Sequence, residues 1–495
     1  MKTKKYIATY LLSLSLLGFL TQSCEAILDE SVKSEFTEAT LLSKKAGIEA
    51  VIADAYGKNN SARNVVKRGE MTTDILWQSG GGEEGTATPL INFNWDPSNT
   101  LEAFDWMNLW QAIRDVNIVL ANVPTASGFN NETQRKQLIA EARFIRVWAY
   151  YALWDQYGPV PIRRSINDPD VLGRPSEEEF RTFMETEFKE ILGDIYLEGE
   201  EPAYGRVNRG GVRGLLCLWY LNTHQWQKCI DVADDIIKSK KYELCKDYNE
   251  MFAIENEKNS EFMLVFSYLA NSGATNVLLA TTLPTGFKEG LDGYLEGVVN
   301  SQWSNFASNY RMYKAFYDSF DEKDQRKGRI LTKYINANGK TVDLLEDTPT
   351  NGKGNIRGTK YPPDPAAKAN EHGNDFPVVR YAEILLAKAE AMNELFGPSQ
   401  DALDLIDDVR NRAGLDDLKL SDFGDKKKLQ DQILDERKWE FWYEGKRRTD
   451  LIRTGRFITD AQKRGIKNAQ DFHVYFPIPQ SAIDANPLLK QNTGY

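Results

Sequence analysis

Histidine and cysteine are scarce in this 495-residue chain: three of the first, His224, His372 and His473, and four of the second, Cys24, Cys217, Cys229 and Cys245. None stands at CxxC, CxxH or HExxH spacing, so a structural zinc site has no support in the sequence. Positive charge is also in deficit. Lys and Arg total 61 against 72 Asp and Glu, a net charge of -11, which argues against nucleic acid and anionic lipid as partners. No apolar run reaches the roughly 20 residues that span a bilayer. There is no GxSxG nucleophile turn, and Gly80-Gly81-Gly82 lacks the GK[ST] of a phosphate loop, so no cofactor is expected. With 41% apolar and 27% charged residues, the chain is nonetheless a folded globular protein, neither disordered nor multispanning.

The N-terminus carries an address. A short cationic start precedes an apolar run from Tyr6 to Leu20, and Leu20, Thr21, Gln22 and Ser23 lead to Cys24. This resembles a bacterial lipoprotein signal peptide over residues 1–23. The resemblance implies acylation of Cys24, with each buried CH₂ of the lipid contributing about 0.8 kcal/mol to anchoring. The acids that follow, Glu25, Asp29 and Glu30, resemble an export tag that places lipoproteins on the cell exterior.

Beyond it, helical periodicity dominates. Leu109, Ile113, Val116, Leu120 and Val123 recur at intervals of four and three, which predicts an amphipathic helix within Leu101–Val123. A second runs from about Thr133 to Tyr157 and stops at Gly158-Pro159. The hairpin plan recurs from about Gly210 to Lys240 and from Val378 to Arg412. Alanines at close-packing positions look like tetratricopeptide units, which makes the fold mainly α, a scaffold of helical hairpins with long irregular insertions. One insertion spans residues 68–99 and a second about 271–310; both are rich in Gly and Pro. A third irregular stretch, Glu346 to Asp375, reads as a solvated loop. Glu440, Glu444, Arg447 and Asp450, at spacings of four, three and three, read as surface ion pairs worth about 0.3 to 0.5 kcal/mol each, and Arg380 and Glu383 likewise.

Several long strings resemble one family, in its order. They are AEARFIRVWAYYALWDQYGPVPI (Ala140–Ile162), FPVVRYAEILLAKAEAMNEL (Phe376–Leu395), IDDVRNRAGL (Ile406–Leu415), ILDERKWEFWYEGKRRTDLIRTG (Ile433–Gly455) and the terminus YFPIPQSAIDANPLLKQNTGY (Tyr475–Tyr495). The chain is thereby similar to the SusD/RagB outer-membrane glycan-binding lipoproteins, departing in detail at Thr493, where the family often has proline. The resemblance implies residues 24–495 as one SusD-like domain without catalytic activity. It also implies surface binding of oligosaccharide or polysaccharide and a partner SusC-like TonB-dependent transporter.

An enzyme and a protein-only helical scaffold are the other two classes. A glycoside hydrolase needs two carboxylates about 5 to 9.5 Å apart across the bond, and no acid here sits in a motif that fixes such a family. A sugar binder needs flat apolar platforms and planar hydrogen-bonding groups. Most tryptophans lie on predicted helices and read as packing; Trp77, Trp95 and Trp303 do not. Trp95, in NFNWDPSN just before the Leu101 helix, resembles a ligand-stacking tryptophan of the family. Trp303 and Tyr294 in the second insertion are further platform candidates, then Trp77, with Asn92, Asn94 and Asp96 as hydroxyl partners. In a strand those three polar groups share one face and Trp95 takes the other, so all four meet one ligand only if the Pro97 turn breaks the alternation.

Overall fold

The computed structural model describes residues 38–78, 80–81, 84–98, 105–300, 302–303, 310–346 and 353–495. Residues 1–23, Cys24 and the acids after it lie outside them. Helical hairpins stack side by side. Lys45–Asn59 packs on Trp106–Asn122, which pairs with Glu132–Tyr157; Glu177–Asp194 and Arg209–Asn222 follow, then Trp226–Ser239, Tyr381–Phe396 and Gln400–Arg412. The fold is mainly α and of tetratricopeptide type, as the spacing predicts. Leu109, Ile113, Val116 and Val123 are buried on the face the interval pattern selects.

Local chemistry sets the ends. Asn131 Oδ1 accepts from Gln134 N at 2.8 Å, and Ser176 and Glu179 form a reciprocal capping box. The Glu132–Tyr157 helix stops where Gly158 takes φ 72°, a left-handed conformation that Pro159 then prevents from returning to helix. The Tyr381–Phe396 helix stops the same way at Gly397, φ 79°.

The chain between residues 240 and 380 leaves the helical array and returns. Strand β2 (Phe262–Phe266) pairs antiparallel with β9 (Phe376–Arg380) at the two ends of this excursion. Within reach of it, β1 (Leu76–Gln78) pairs with β4 (Tyr310–Met312), β5 (Ile330–Leu331) pairs with β8 (Arg357–Gly358), and a bridge from Met312 to Ile356 joins the two ladders. The first insertion and the third stretch thus supply strands to one narrow rib, whose strand β4 begins where the second insertion ends. A further sheet of β3 (Phe287–Gly290), β6 (Lys333–Asn336) and β7 (Thr341–Asp343) encloses its own small core of Leu279, Leu283, Phe287, Leu295, Leu331 and Leu344.

Two expectations are overturned here. The third stretch is no solvated loop: residues 354–362 are buried, Lys360 completely, because they carry β8 and thread between the rib and Trp442-Tyr443. The six charged residues read as surface pairs are interior as well. Arg380 reaches Glu444 at 2.8 Å and Glu261 at 2.7 Å and also contacts Glu440. Glu440 further meets Arg326 at 3.1 Å and Arg412, and Lys360 closes on Glu444. Arg437 bonds Asp450 at 2.8 Å, Arg453 bonds Glu390 at 2.7 Å and Asp450 at 2.9 Å, Lys446 meets Glu383 at 2.9 Å, and Arg447 meets Asp74 at 2.9 Å. Burial alone would raise the Glu440 carboxyl, but Arg412, Arg380 and Arg326 outweigh it and hold it far below the usual carboxylate range. Breaking such a buried pair by removing one partner costs about 3 to 5 kcal/mol, several times the surface value. The network joins Arg326 of the excursion, itself paired with Asp324, to Glu436 and Glu440 of the helix Lys426–Phe441, so it is the root that fixes the excursion on the scaffold.

Candidate glycan-binding face

The candidate residues separate by burial. Trp95 is 6% exposed; its indole Nε1 donates to Leu90 O at 3.2 Å, and its ring stacks on Phe93 (4.8 Å), meets Phe476 (4.5 Å) and abuts His473 edge-on (4.9 Å). No open ring face remains for a sugar, so the platform expectation fails there and Trp95 is a core residue. Asn92 ends the helix Glu84–Asn92 instead of opening a strand. From residue 93 the expected alternation holds, with Phe93 and Trp95 inward and Asn94 and Asp96 exposed. Asn94 Oδ1 accepts from Asn468 Nδ2 at 2.6 Å, and Asp96 accepts from Ser98 N and Oγ, so Asp96 caps its own turn. The Pro97 turn does not bring the two faces together. Trp77 is also packed: 4% exposed, with Arg311 at 5.0 Å and Lys353 at 5.5 Å over its ring.

Tyr294 and Trp303 are different. The chain leaves β3, turns through the short 3₁₀ segment Gly293–Leu295, and returns antiparallel to β3, with Gly290 N bonded to Val298 O and Asn300 N to Lys288 O. Tyr294 sits at the turn and is 37% exposed. Trp303 lies just past the other end of this hairpin and is half-buried. Its backbone is clamped by one side chain: Asn300 Oδ1 accepts from Trp303 N at 2.8 Å, and Asn300 Nδ2 donates to Trp303 O at 3.0 Å. Behind the indole stands His372, 6.1 Å away, kept neutral because burial pushes its pKa down to about 4. The second insertion therefore places two aromatic side chains at opposite ends of one hairpin.

A residue with no signal in the sequence completes the arrangement. Arg329 is fully buried, and its guanidinium carbon lies 3.4 Å from the Tyr294 ring centroid. Burial pushes its pKa down to about 10. It belongs to the 3₁₀ segment Gln325–Arg329, where side chains three apart eclipse. Arg326, three residues earlier, is the one that enters the buried charge network. The root of the excursion and the backing of Tyr294 are thus held by one short turn. No spacing rule finds Arg329, because its partner is 35 residues away in an irregular segment.

A second polar surface lies apart. A groove of about 620 Å³ runs between the start of the helix Ala62–Glu70 and the turn at 273–277. It is lined by Asn60, Ser61, Asn64 and Tyr268, whose hydroxyl accepts from Ala62 N at 3.1 Å. Its size suits a small saccharide. Among the described residues no group of three or more His, Cys, Asp or Glu is placed to hold a metal ion, and no helix is long and apolar enough to cross a membrane.

The chain matches two sequence families. Residues 264–495 fit the SusD family, and residues 27–198 fit the family described as starch-binding associating with outer membrane. Among curated proteins it is 25% identical to SusD-like protein P25 of Formosa agariphila over 96% of this chain and 97% of that one. It is also 25% identical to starch-binding protein SusD of Bacteroides thetaiotaomicron, over 89% and 86%. Among solved structures, a laminarin-binding SusD-like protein superposes with TM-score 0.76 at 21% identity, covering 91% of this chain and all of that one, and so shares its fold.

Proposed function

Because the chain belongs to the SusD family, we propose that it binds oligosaccharide or polysaccharide on the cell surface and passes it to a SusC-like TonB-dependent transporter. In this reading residues 24–495 form one unit held at the outer membrane by lipid on Cys24, and the glycan lies along the Tyr294–Trp303 hairpin. The observation that carries the site is the contrast in burial. Of the aromatic candidates read from the insertions, Tyr294 is 37% exposed and Trp303 half-buried, while Trp77 and Trp95 are spent on packing. An accessible aromatic face is what stacking against a pyranose needs.

The curated relative from Bacteroides thetaiotaomicron is named as a starch-binding protein, and that supports a role without catalysis. A glycan screen on the protein lacking Met1 to Cys24, with laminarin and starch first, paired with a reducing-sugar assay, tests the reading. Binding without product is expected. Release of reducing ends would make it a glycoside hydrolase, and neither result would leave a protein-only scaffold. Copurification from detergent-solubilised outer membranes tests the transporter pairing, and recovery of free monomer alone would oppose it. Retention of Cys24→Ala on membranes lacking the transporter would defeat the lipid anchor.

A further inference from the structure

Two thiols away from the hairpin lie within reach of each other. Cys217 is on the helix Arg209–Asn222 and Cys229 on Trp226–Ser239, the antiparallel arms of one scaffold hairpin. Their Sγ atoms are 3.7 Å apart and both residues are fully buried. Their other polar contacts are weak: Cys217 Sγ to Cys229 O at 3.7 Å and Cys229 Sγ to Ala387 O at 3.8 Å. A disulfide needs about 2.05 Å between sulfurs, so the two sulfurs stand less than 2 Å from bonding distance. Nor is the pair half of a metal site, since no third ligand accompanies it among the described residues. The third described thiol, Cys245, is held elsewhere, beside Glu261, whose carboxylate accepts from Cys245 N at 2.8 Å.

We propose that Cys217 and Cys229 form an intramolecular disulfide in the exported protein, locking the two arms of this helical hairpin together. The inference rests on the reading that the chain is exported, because disulfides persist in oxidising compartments outside the cytosol. Its readout is independent of glycan binding. One thiolate attacks the disulfide of an exported disulfide-bearing oxidoreductase, forming a mixed disulfide and releasing one of that protein's sulfurs as thiol. The second thiolate then displaces the other. The two cysteines lose two protons and two electrons, the electrons reduce the oxidoreductase's disulfide, and it leaves as a dithiol. The step belongs to the time before the hairpin is buried. In the folded state the mutual hydrogen bond and burial raise the Cys217 thiol well above its ordinary value, and no reagent reaches it.

The test uses the full chain recovered from outer membranes of its own host, with free thiols trapped by a maleimide during denaturation. Lys228 lies between the two cysteines, so trypsin separates Gly214–Lys228 from Cys229–Lys238. The expected result is that these two peptides run as one covalent pair without reductant and separate after reduction, while the Cys245 peptide carries the maleimide throughout. In Cys217→Ala the pair should vanish and Cys229 should become labelled, a readout that does not require the variant to be folded. Maleimide on both Cys217 and Cys229 in the unreduced parent protein, or either one linked to Cys245, would overturn the proposal.

Discussion

The Arg329 guanidinium carbon lies over the Tyr294 ring, 3.4 Å from its centroid, with no carboxylate as ion-pair partner among the described residues. A cation–π contact shielded from solvent contributes about 2 kcal/mol, and here it backs a ring that stands at a turn. Replacing Arg329 by Ala should therefore weaken glycan binding although Arg329 itself is buried. Titration calorimetry on Arg329→Ala and Tyr294→Phe checks it. The phenylalanine variant keeps the ring and should bind like the parent, and equal affinity in both variants would show that the stacking does not position the platform.

Trp95 gives the opposite expectation. Its ring is enclosed by Phe93, His473 and Phe476, so Trp95→Ala should destabilise the fold by about 3 to 5 kcal/mol. Denaturant unfolding measures that loss. Once the surviving folded fraction is corrected for, its glycan affinity should match the parent protein; a loss of affinity with stability unchanged would return Trp95 to the binding face.

The helices were legible because a period of 3.6 is a local property: Leu109 to Val123 and the stop at Gly158-Pro159 carry it within one segment. The charges were not. Glu440, Glu444, Arg447 and Asp450 have the same spacing whether they face water or other buried charges, and their partners Arg326, Arg380, Arg437 and Asp74 come from distant segments. The strands of the rib run two to three residues each, too short for period two to register. Alternation over Phe93 to Asp96 was visible in the sequence, yet the pattern alone does not say which face meets the core.

The buried network should govern acid stability. The Glu440 carboxyl is held below its unfolded value by surrounding arginines, so its contribution is present above the unfolded pKa, about 4.3, and is lost as pH falls through the folded one. Glu440→Gln should cost about 3 to 5 kcal/mol at neutral pH and flatten the acid limb of the stability profile. An unfolding midpoint within error of the parent protein would contradict the interior role.

Glu70 should act in the other direction. Burial raises its carboxyl from 4.5 to about 7, even though Oε1 accepts from Glu444 N at 3.0 Å and Gly445 N at 2.9 Å. A raised folded pKa means the native state binds more protons between those values, so this group's contribution to stability falls as pH rises from 4.5 to 7. Glu70→Gln carries no titrating proton. The stability of Glu70→Gln relative to the parent protein should increase across that window by about 3 kcal/mol, measured by urea unfolding at stepped pH. A difference independent of pH would mean that Glu70 is ionised throughout.

The two platforms sit at opposite ends of a hairpin whose strand β3 has four residues, a strand that at the usual rise spans about 10 Å. One sugar ring cannot cover both, and an extended chain lying along the hairpin can. Affinity should therefore rise with oligosaccharide length until both rings are engaged and then level off. Removing either ring should cost about 1 to 3 kcal/mol for the long ligand, roughly five- to 150-fold, and Tyr294→Ala should bind long and short chains nearly alike. Calorimetry across a length series, on the parent protein, Tyr294→Ala and Trp303→Ala, supplies the numbers. Length dependence that survives unchanged in both variants would place the glycan elsewhere, and the groove lined by Asn60, Ser61, Asn64 and Tyr268 is then the surface to mutate next.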